Sequence, residues 1–440
     1  MLVSVGQLSG IFTLISPVKM RLIEEYYERR CKSCGGNSAA ATKEIVKKIS
    51  LPAMGSAAQS AKSVATLVGD FPYKNVVCST PEPTHSWSPV VSSLFFSRLA
   101  LQRASQPSHP ALPIPRVELV NLQSLYPPVV YRESQREVWD GSTIVELNQD
   151  PSFSPDEDAS LCLQHMRDTD MFFQGAFSTI PVEKLQTRNL MRTDIHDPHA
   201  FNNVFWSTEG GVCIGDYDPE IFSSFAADSD VVVHAFAHAV IFRSSNLVYQ
   251  EQSGAILESL ANIFAVMADH YKHRVRAGDA HASWDLYKII RNAQAGNSWC
   301  SLSHPGDGFR NHPVLGNDDQ VGHMRDYLSE KVTFPFDWGG IHKYSGIPNH
   351  AFYLAATKYG DVTYGKIGQS WHLASKRTSS DADFSCFAKE TIKSAKDLGF
   401  GEKVCAIIAQ SWMDVGVDLQ GPREMVVVGK TRPAPQSHCW

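Results

Sequence analysis

From residue 230 onward, apolar positions recur at helical spacing. Ile256, Leu260, Ile263, Phe264 and Met267 step by 4, 3, 1 and 3, which lays one apolar stripe along a helix. Nearer the start, Leu22, Ile23 and Tyr26 open a helical pattern that runs on through a Lys- and Ala-rich stretch toward residue 70. Between these regions VELVNL at 117–122 and STIVEL at 142–147 carry strand signals. Residues 79–116 hold seven prolines and eight serines, which interrupt any regular element, so a linker is expected there. The pattern predicts an α+β chain: a helical leader over 1–78, the linker over 79–116, a strand-rich part over 117–249, a helical part over 250–420 and a tail over 421–440.

Composition changes this picture little. Of 440 residues, 43% are hydrophobic and 20% charged, an ordinary globular balance, and the length exceeds what one core usually serves. With 40 Lys+Arg against 46 Asp+Glu the net charge is −6, and no basic run offers a footprint for a phosphate backbone, so no nucleic-acid partner is expected. No stretch reaches the roughly 18 uninterrupted apolar residues of a membrane span, so no membrane partner is expected either. The opening MLVSVGQLSGIFTLIS lacks a basic start and is interrupted by polar residues, a weak leader signal. Nine scattered cysteines, including the CxxC of Cys31 and Cys34, favour a reducing, cytoplasmic setting over a disulfide framework.

The chemistry concentrates in DVVVHAFAHAV at 230–240. His234 and His238 stand four apart, which on a helix stacks two imidazoles on one face within reach of one metal ion. Alone the pair says little, since about 0.7 such pairs arise by chance among 17 histidines. Twenty residues after His238, however, Glu258 lies on a second helical stretch, and two histidines with one carboxylate make a three-ligand zinc site with an open position. His342 follows closely on a pair of glycines in DWGGIHKYSG, as where a loop approaches a site.

These residues fall within blocks that resemble, in order, the thermolysin family of zinc metallopeptidases, most closely its protealysin branch. The blocks are NNVFW at 202–206, GDYD at 215–218, DVVVHAFAHAV, NLVYQEQSGAILESLANIF at 246–264, FR at 309–310, GHMRDY at 322–327, DWGGIHKYSGIPNHAFYLAA at 337–356 and QSWMDVGV at 410–417. The resemblance implies a two-lobe metallopeptidase fold, strand-rich then helical, with the His234 helix between the lobes. It implies zinc held by His234, His238 and Glu258. It implies Tyr249 and His342 as oxyanion donors, Asp337 as the orienter of His342, and Asn203 and Arg310 as holders of the substrate backbone. ISPVKMRLIEEY at 15–26 is similar to the family's prosegment, which implies that the chain's own N-terminal segment covers the cleft.

The departures bear on function. The family's helix reads HExxH, and its Glu is the general base; here that position is Ala235, whose methyl accepts no proton. Asn262 stands where a carboxylate supports a zinc ligand, and Trp338 and Tyr344 replace small polar residues, which is expected to shorten the cleft. The family's calcium carboxylates are mostly unmatched apart from Asp230 and Asp269, so no calcium is expected. Three readings follow. The favoured one is a zinc enzyme turned from peptide hydrolysis to a small carbonyl or amino-acid-derived substrate, with lyase- or cyclase-type chemistry. The others are a catalytically dead pseudopeptidase that binds a peptide-like ligand, and a weak metalloendopeptidase.

Overall fold

The structure is a computed structural model that describes residues 11–34, 135–140, 143–147, 156–179, 183–185, 188–197, 200–207 and 211–420. The expected linker at 79–116, the strand at 117–122, the side chains of Cys31 and Cys34 and the tail lie outside the described residues. Two compact units are present, residues 1–26 with 134–440, and residues 27–133. The described residues belong to the first, except residues 27–34.

Its strand side is a seven-stranded sheet. The strands are β1 (Ile11–Thr13), β2 (Gln135–Asp140), β3 (Thr143–Leu147), β4 (Glu183–Leu185), β5 (Arg188–Ile195), β6 (Val204–Ser207) and β7 (Gly211–Ile214). They run in the order β1-β6-β7-β5-β2-β3, with β4 paired to β5. The β2–β5 and β5–β7 pairs are parallel and the rest antiparallel. Helix α1 (Pro17–Cys34) follows β1 directly. Helix α2 (Glu157–Phe177) starts at Asp156, whose side chain accepts from the Ala159 amide.

Helix α3 (Ser229–Ser244) starts at Asp228, whose carboxylate accepts from the amides of Asp230 and Val231. Every residue from Val231 to Ile241 is buried, because strands, α2 and the helix over Glu251–His273 enclose it. Helix α4 (Glu251–His273) is the predicted stripe helix; Ile256, Leu260, Ile263, Phe264 and Met267 are all buried. After the small pair β8 (Asp285–Leu286) and β9 (Cys300–Ser301), the helical side continues with α5 (Asp337–Tyr344), α6 (Gly346–Tyr359), α7 (Lys366–Arg377), α8 (Phe384–Asp397) and α9 (Glu402–Asp414). Its core includes Trp371 stacked on Trp412 at 5.9 Å, with the Trp412 indole donating to Thr391 Oγ1 at 3.0 Å. The α+β architecture expected from the sequence is present, strands first and helices after. Strand β1 departs from expectation, because three residues near the N-terminus complete a sheet whose other strands begin after residue 134.

Candidate metal centre and cleft

Helices α3 and α4 bring His234, His238 and Glu258 together, and ligand atoms of all three lie within 4.8 Å of one another. The two Nε2 atoms are 3.0 Å apart. Each lies 3.6 Å from an oxygen of Glu258, His234 from Oε2 and His238 from Oε1. Tetrahedral zinc with bonds of about 2.0–2.1 Å sets its donors roughly 3.3 Å apart, so the three atoms fit one ion. All three residues are buried. Burial holds His234 down to about 3 and His238 well below its ordinary value, which leaves both imidazoles neutral with lone pairs to give. Glu258 Oε1 has no hydrogen-bond partner among the described residues. A buried carboxylate oxygen without a donor, facing two neutral imidazoles, suits the binding of a cation.

His234 is fixed from behind by a residue that the sequence did not single out. The Tyr287 hydroxyl donates to Asn262 Oδ1 at 2.7 Å, and its oxygen lies 2.8 Å from His234 Nδ1. With the hydroxyl proton spent on Asn262, His234 donates its Nδ1 proton to Tyr287, and Nε2 is left as the ligand. Asn262 therefore supports the ligand through a bridging phenol. His238 has no such support, since its Nδ1 lacks a hydrogen bond among the described residues. Phe12 stacks on its ring instead, at 5.0 Å and 19°.

His342 stands on the other side of Glu258, its Nε2 3.7 Å from Oε2. Asp337 accepts from both the His342 amide, at 2.9 Å, and Nδ1, at 2.7 Å. This double grip needs an abrupt turn, and four successive residues, Asp337 to Gly340, have φ between 51° and 95°. A Cβ on Gly340 would meet the Tyr344 ring at 2.6 Å, and one on Gly339 would meet Glu251 at about 3.2 Å, so the two glycines permit a conformation that Asp337 and Trp338 hold under strain. Burial opposes charge on His342, but Asp337 and Glu258 outweigh it and raise its pKa to about 10. At neutral pH both ring nitrogens are donors. Tyr249 is buried and faces Glu258 and the Thr13 backbone.

Thr13 belongs to the N-terminal segment, which lies in the cleft as an added strand. Strand β1 pairs antiparallel with β6, Phe12 opposite Trp206. His342 Nε2 donates to the Thr13 carbonyl at 2.8 Å, and the Leu14 amide donates to the Val204 carbonyl at 2.8 Å. Asn203 Oδ1 accepts from the Ile15 amide at 2.9 Å, and its Nδ2 donates to the Ile15 carbonyl at 3.4 Å. The Thr13–Leu14 peptide bond is thus gripped at its oxygen and at its nitrogen, beside the ligand cluster. Phe12 fills an apolar box with Tyr249 at 4.7 Å, Trp206 at 5.4 Å and Phe242 at 6.0 Å.

Of the residues singled out from sequence, His234, His238, Glu258, Tyr249, His342, Asp337 and Asn203 converge here, and Ala235 is buried one step from His234. Arg310 is not among them: its side chain is 59% exposed and pairs with Asp307. Tyr344 is an interior residue beside Glu330 and Lys343. It is buried, with its hydroxyl on Glu330 Oε1 at 2.9 Å and the Leu328 amide donating to it at 3.2 Å, and the neighbouring Trp338 ring packs edge-on against Phe334. Asp269, expected to hold no calcium, pairs with His273 at 3.0 Å.

The sequence and the fold also resemble known proteins. Residues 245–417 match the family model described as thermolysin metallopeptidase, alpha-helical domain. The solved precursor of protealysin, a metalloproteinase from Serratia proteamaculans, superposes with a TM-score of 0.59 at 30% identity, covering 70% of this chain and 95% of that one. The chain belongs to the thermolysin-like metallopeptidase family. Within it, an extracellular metalloprotease of Pectobacterium carotovorum is 35% identical over 229 residues, 51% of this chain and 63% of that protein. Protease PrtS of a Photorhabdus strain is 34% identical over 51% of this chain and 60% of its own length. The chain therefore spans somewhat under two thirds of the length of these two relatives. As in the thermolysin-like family generally, zinc is the metal expected between His234, His238 and Glu258. Among the described residues no helix is long and apolar enough to cross a membrane.

Proposed function

We propose that the chain is a zinc-holding member of the family whose cleft binds extended peptide backbone and hydrolyses it poorly, with its own N-terminal strand as resident occupant. The observation that carries this reading is the Thr13–Leu14 bond, held from both sides by His342 and Val204 and continued by Asn203 on Ile15. Bound zinc would supply a Lewis acid for a substrate carbonyl and acidify its bound water. His342, charged through Asp337, donates to the carbonyl oxygen and holds it where negative charge would develop. Val204 holds the amide nitrogen in line. Proton removal from water is the part without a residue, because position 235 carries Ala. Losing a general base typically costs 10² to 10⁴ in rate, or about 3 to 5.5 kcal/mol of barrier.

A second reading, lyase- or cyclase-type chemistry on a small carbonyl or amino-acid-derived compound, draws support from the completeness of the donor set, Tyr249, His342 and Asp337, beside the absent base. The strand Ile11–Thr13 seated beside the cluster favours extended backbone as the ligand, so the peptide-binding reading is preferred. Ala235→Glu separates the two. On the peptide reading, the zinc-loaded variant cleaves its own chain between Thr13 and Leu14, seen by mass spectrometry as a new N-terminus at Leu14, and gains up to 10² to 10⁴ on added peptides. His342→Ala on that background should abolish cleavage without releasing zinc. If Ala235→Glu holds zinc yet leaves both its own strand and every added peptide intact, the small-substrate reading replaces the peptide one.

A further inference from the structure

Lys19, in the first turn of α1 and six residues beyond Thr13, is only 6% exposed, a burial that lysine reaches only when its charge is well answered. Its ammonium lies 2.7 Å from the Asn317 carbonyl, 3.2 Å from the Leu315 carbonyl and 3.2 Å from Asp319 Oδ1, and it sits 5.5 Å above the Phe309 ring. Three acceptors and a π face match three N–H donors and one positive charge.

The cage does not depend on Lys19 for its shape. His312 Nδ1 accepts from the amides of Val314 and Leu315 at 3.0 Å each, and His312 and Gly316 exchange backbone hydrogen bonds of 2.7 and 3.0 Å. Asn317 Oδ1 accepts from the Asn311 amide at 2.8 Å. Buried Asp318 takes the amides of Gly306 and Gly308 at 3.1 and 3.0 Å. Residues 306–319 thus fix the two carbonyls by their own bonds. The cage also belongs to the cleft, since one cavity is lined by Lys19, Phe309, Asp319, Asp337 and His342 together.

We infer that residues 309–319 form a subsite for the primary ammonium of a lysine side chain on the peptide that the cleft binds, and that Lys19 is its built-in occupant. The inference rests on the peptide-binding reading above and adds the charge of the ligand. A segment that fills the site in cis fills this subsite too, and a competing peptide gains from presenting a lysine there.

The test uses the full chain with Lys19→Ala, which opens the cage, and n-butylammonium as a probe shaped like the missing side chain. The melting temperature should rise by several degrees, with half-saturation on the order of 1–10 mM, as befits a ligand of about five non-hydrogen atoms. n-Butanol should give less than a tenth of that rise, the wild-type chain should show no such response, and Lys19→Ala with Asp319→Asn should lose most of it. An equal response to butanol, or an equal rise in the wild type, overturns the proposal. Should Lys19→Ala not fold, Asp319→Asn alone should speed hydrogen exchange at the Leu14 amide at least tenfold, and unchanged exchange would count against the cage. None of these readouts needs zinc or turnover, so they stand or fall separately from the cleavage result with Ala235→Glu.

Discussion

The two sides of the ligand cluster are built differently. On the inner side His234 is held by Tyr287 and Asn262, residues within the permanent interior of the helical region. On the cleft side His238 is covered by Phe12, and the His342 proton rests on the Thr13 carbonyl, both from a three-residue strand paired with β6 and continued through Asn203 and the Lys19 cage. Polar restraint on one side fixes a tautomer and hence a ligand; apolar and backbone contact on the other side fills space that a ligand must take. The inner side therefore governs metal affinity, and the cleft side governs access. A single centre can lose one property while keeping the other.

The largest expected effect falls on the cleft side. Phe12→Ala removes a buried ring from the box of His238, Tyr249, Trp206 and Phe242, and such truncations cost about 3–5 kcal/mol. Exchange of the Leu14 amide should accelerate about 10²- to 10³-fold while zinc affinity changes less than tenfold. A parallel collapse of zinc binding would merge the two sides.

Tyr287→Phe probes the inner side. It deletes the bridge between His234 and Asn262 and should weaken zinc about 10- to 100-fold, the usual effect of losing a ligand's support, with little change in Leu14 exchange. Competition with a chelator of known affinity measures the first, and hydrogen exchange the second. Equal zinc affinity in both proteins would strip Tyr287 of its role.

The smallest effect lies just past the end of β5. His196 bonds Asp216 Oδ1 at 2.6 Å and Asp156 Oδ2 at 3.1 Å, and mainly through Asp216 its pKa rises to about 9. A raised folded-state value means that the stabilisation is complete below the unfolded value of about 6.5 and fades as pH climbs through about 9. Denaturant midpoints should decline over that window in the wild type and less steeply in His196→Gln. An unchanged slope would show that the ion pairs contribute nothing.

How much of this was legible from the chain depends on sequence distance. His234, His238 and Glu258 announce themselves because helical spacing brings residues four apart onto one face and the next helix follows at once. Asn203, Tyr249 and Asp337 were legible only through the family resemblance, since no local pattern marks an asparagine as a backbone clamp. Tyr287 was not legible at all: it reaches His234 across 53 residues from a turn where its φ is 55°, and nothing in WDLYKI signals that contact. Strand β1 was equally hidden, because Ile11–Thr13 is a strand only by virtue of β6, almost 200 residues away. Arg310 shows the converse, a matching residue that the fold turns outward to Asp307.

The central claim is a zinc centre made of two imidazoles and one carboxylate at the mouth of an occupied cleft. Zinc K-edge X-ray absorption on the purified full chain tests it most directly. The account predicts one zinc per chain with only nitrogen and oxygen neighbours at about 2.0–2.2 Å, and loss of the signal in His234→Ala. A protein without zinc, or a shell of sulfur near 2.3 Å that survives His234→Ala and puts the metal on cysteine, would contradict it.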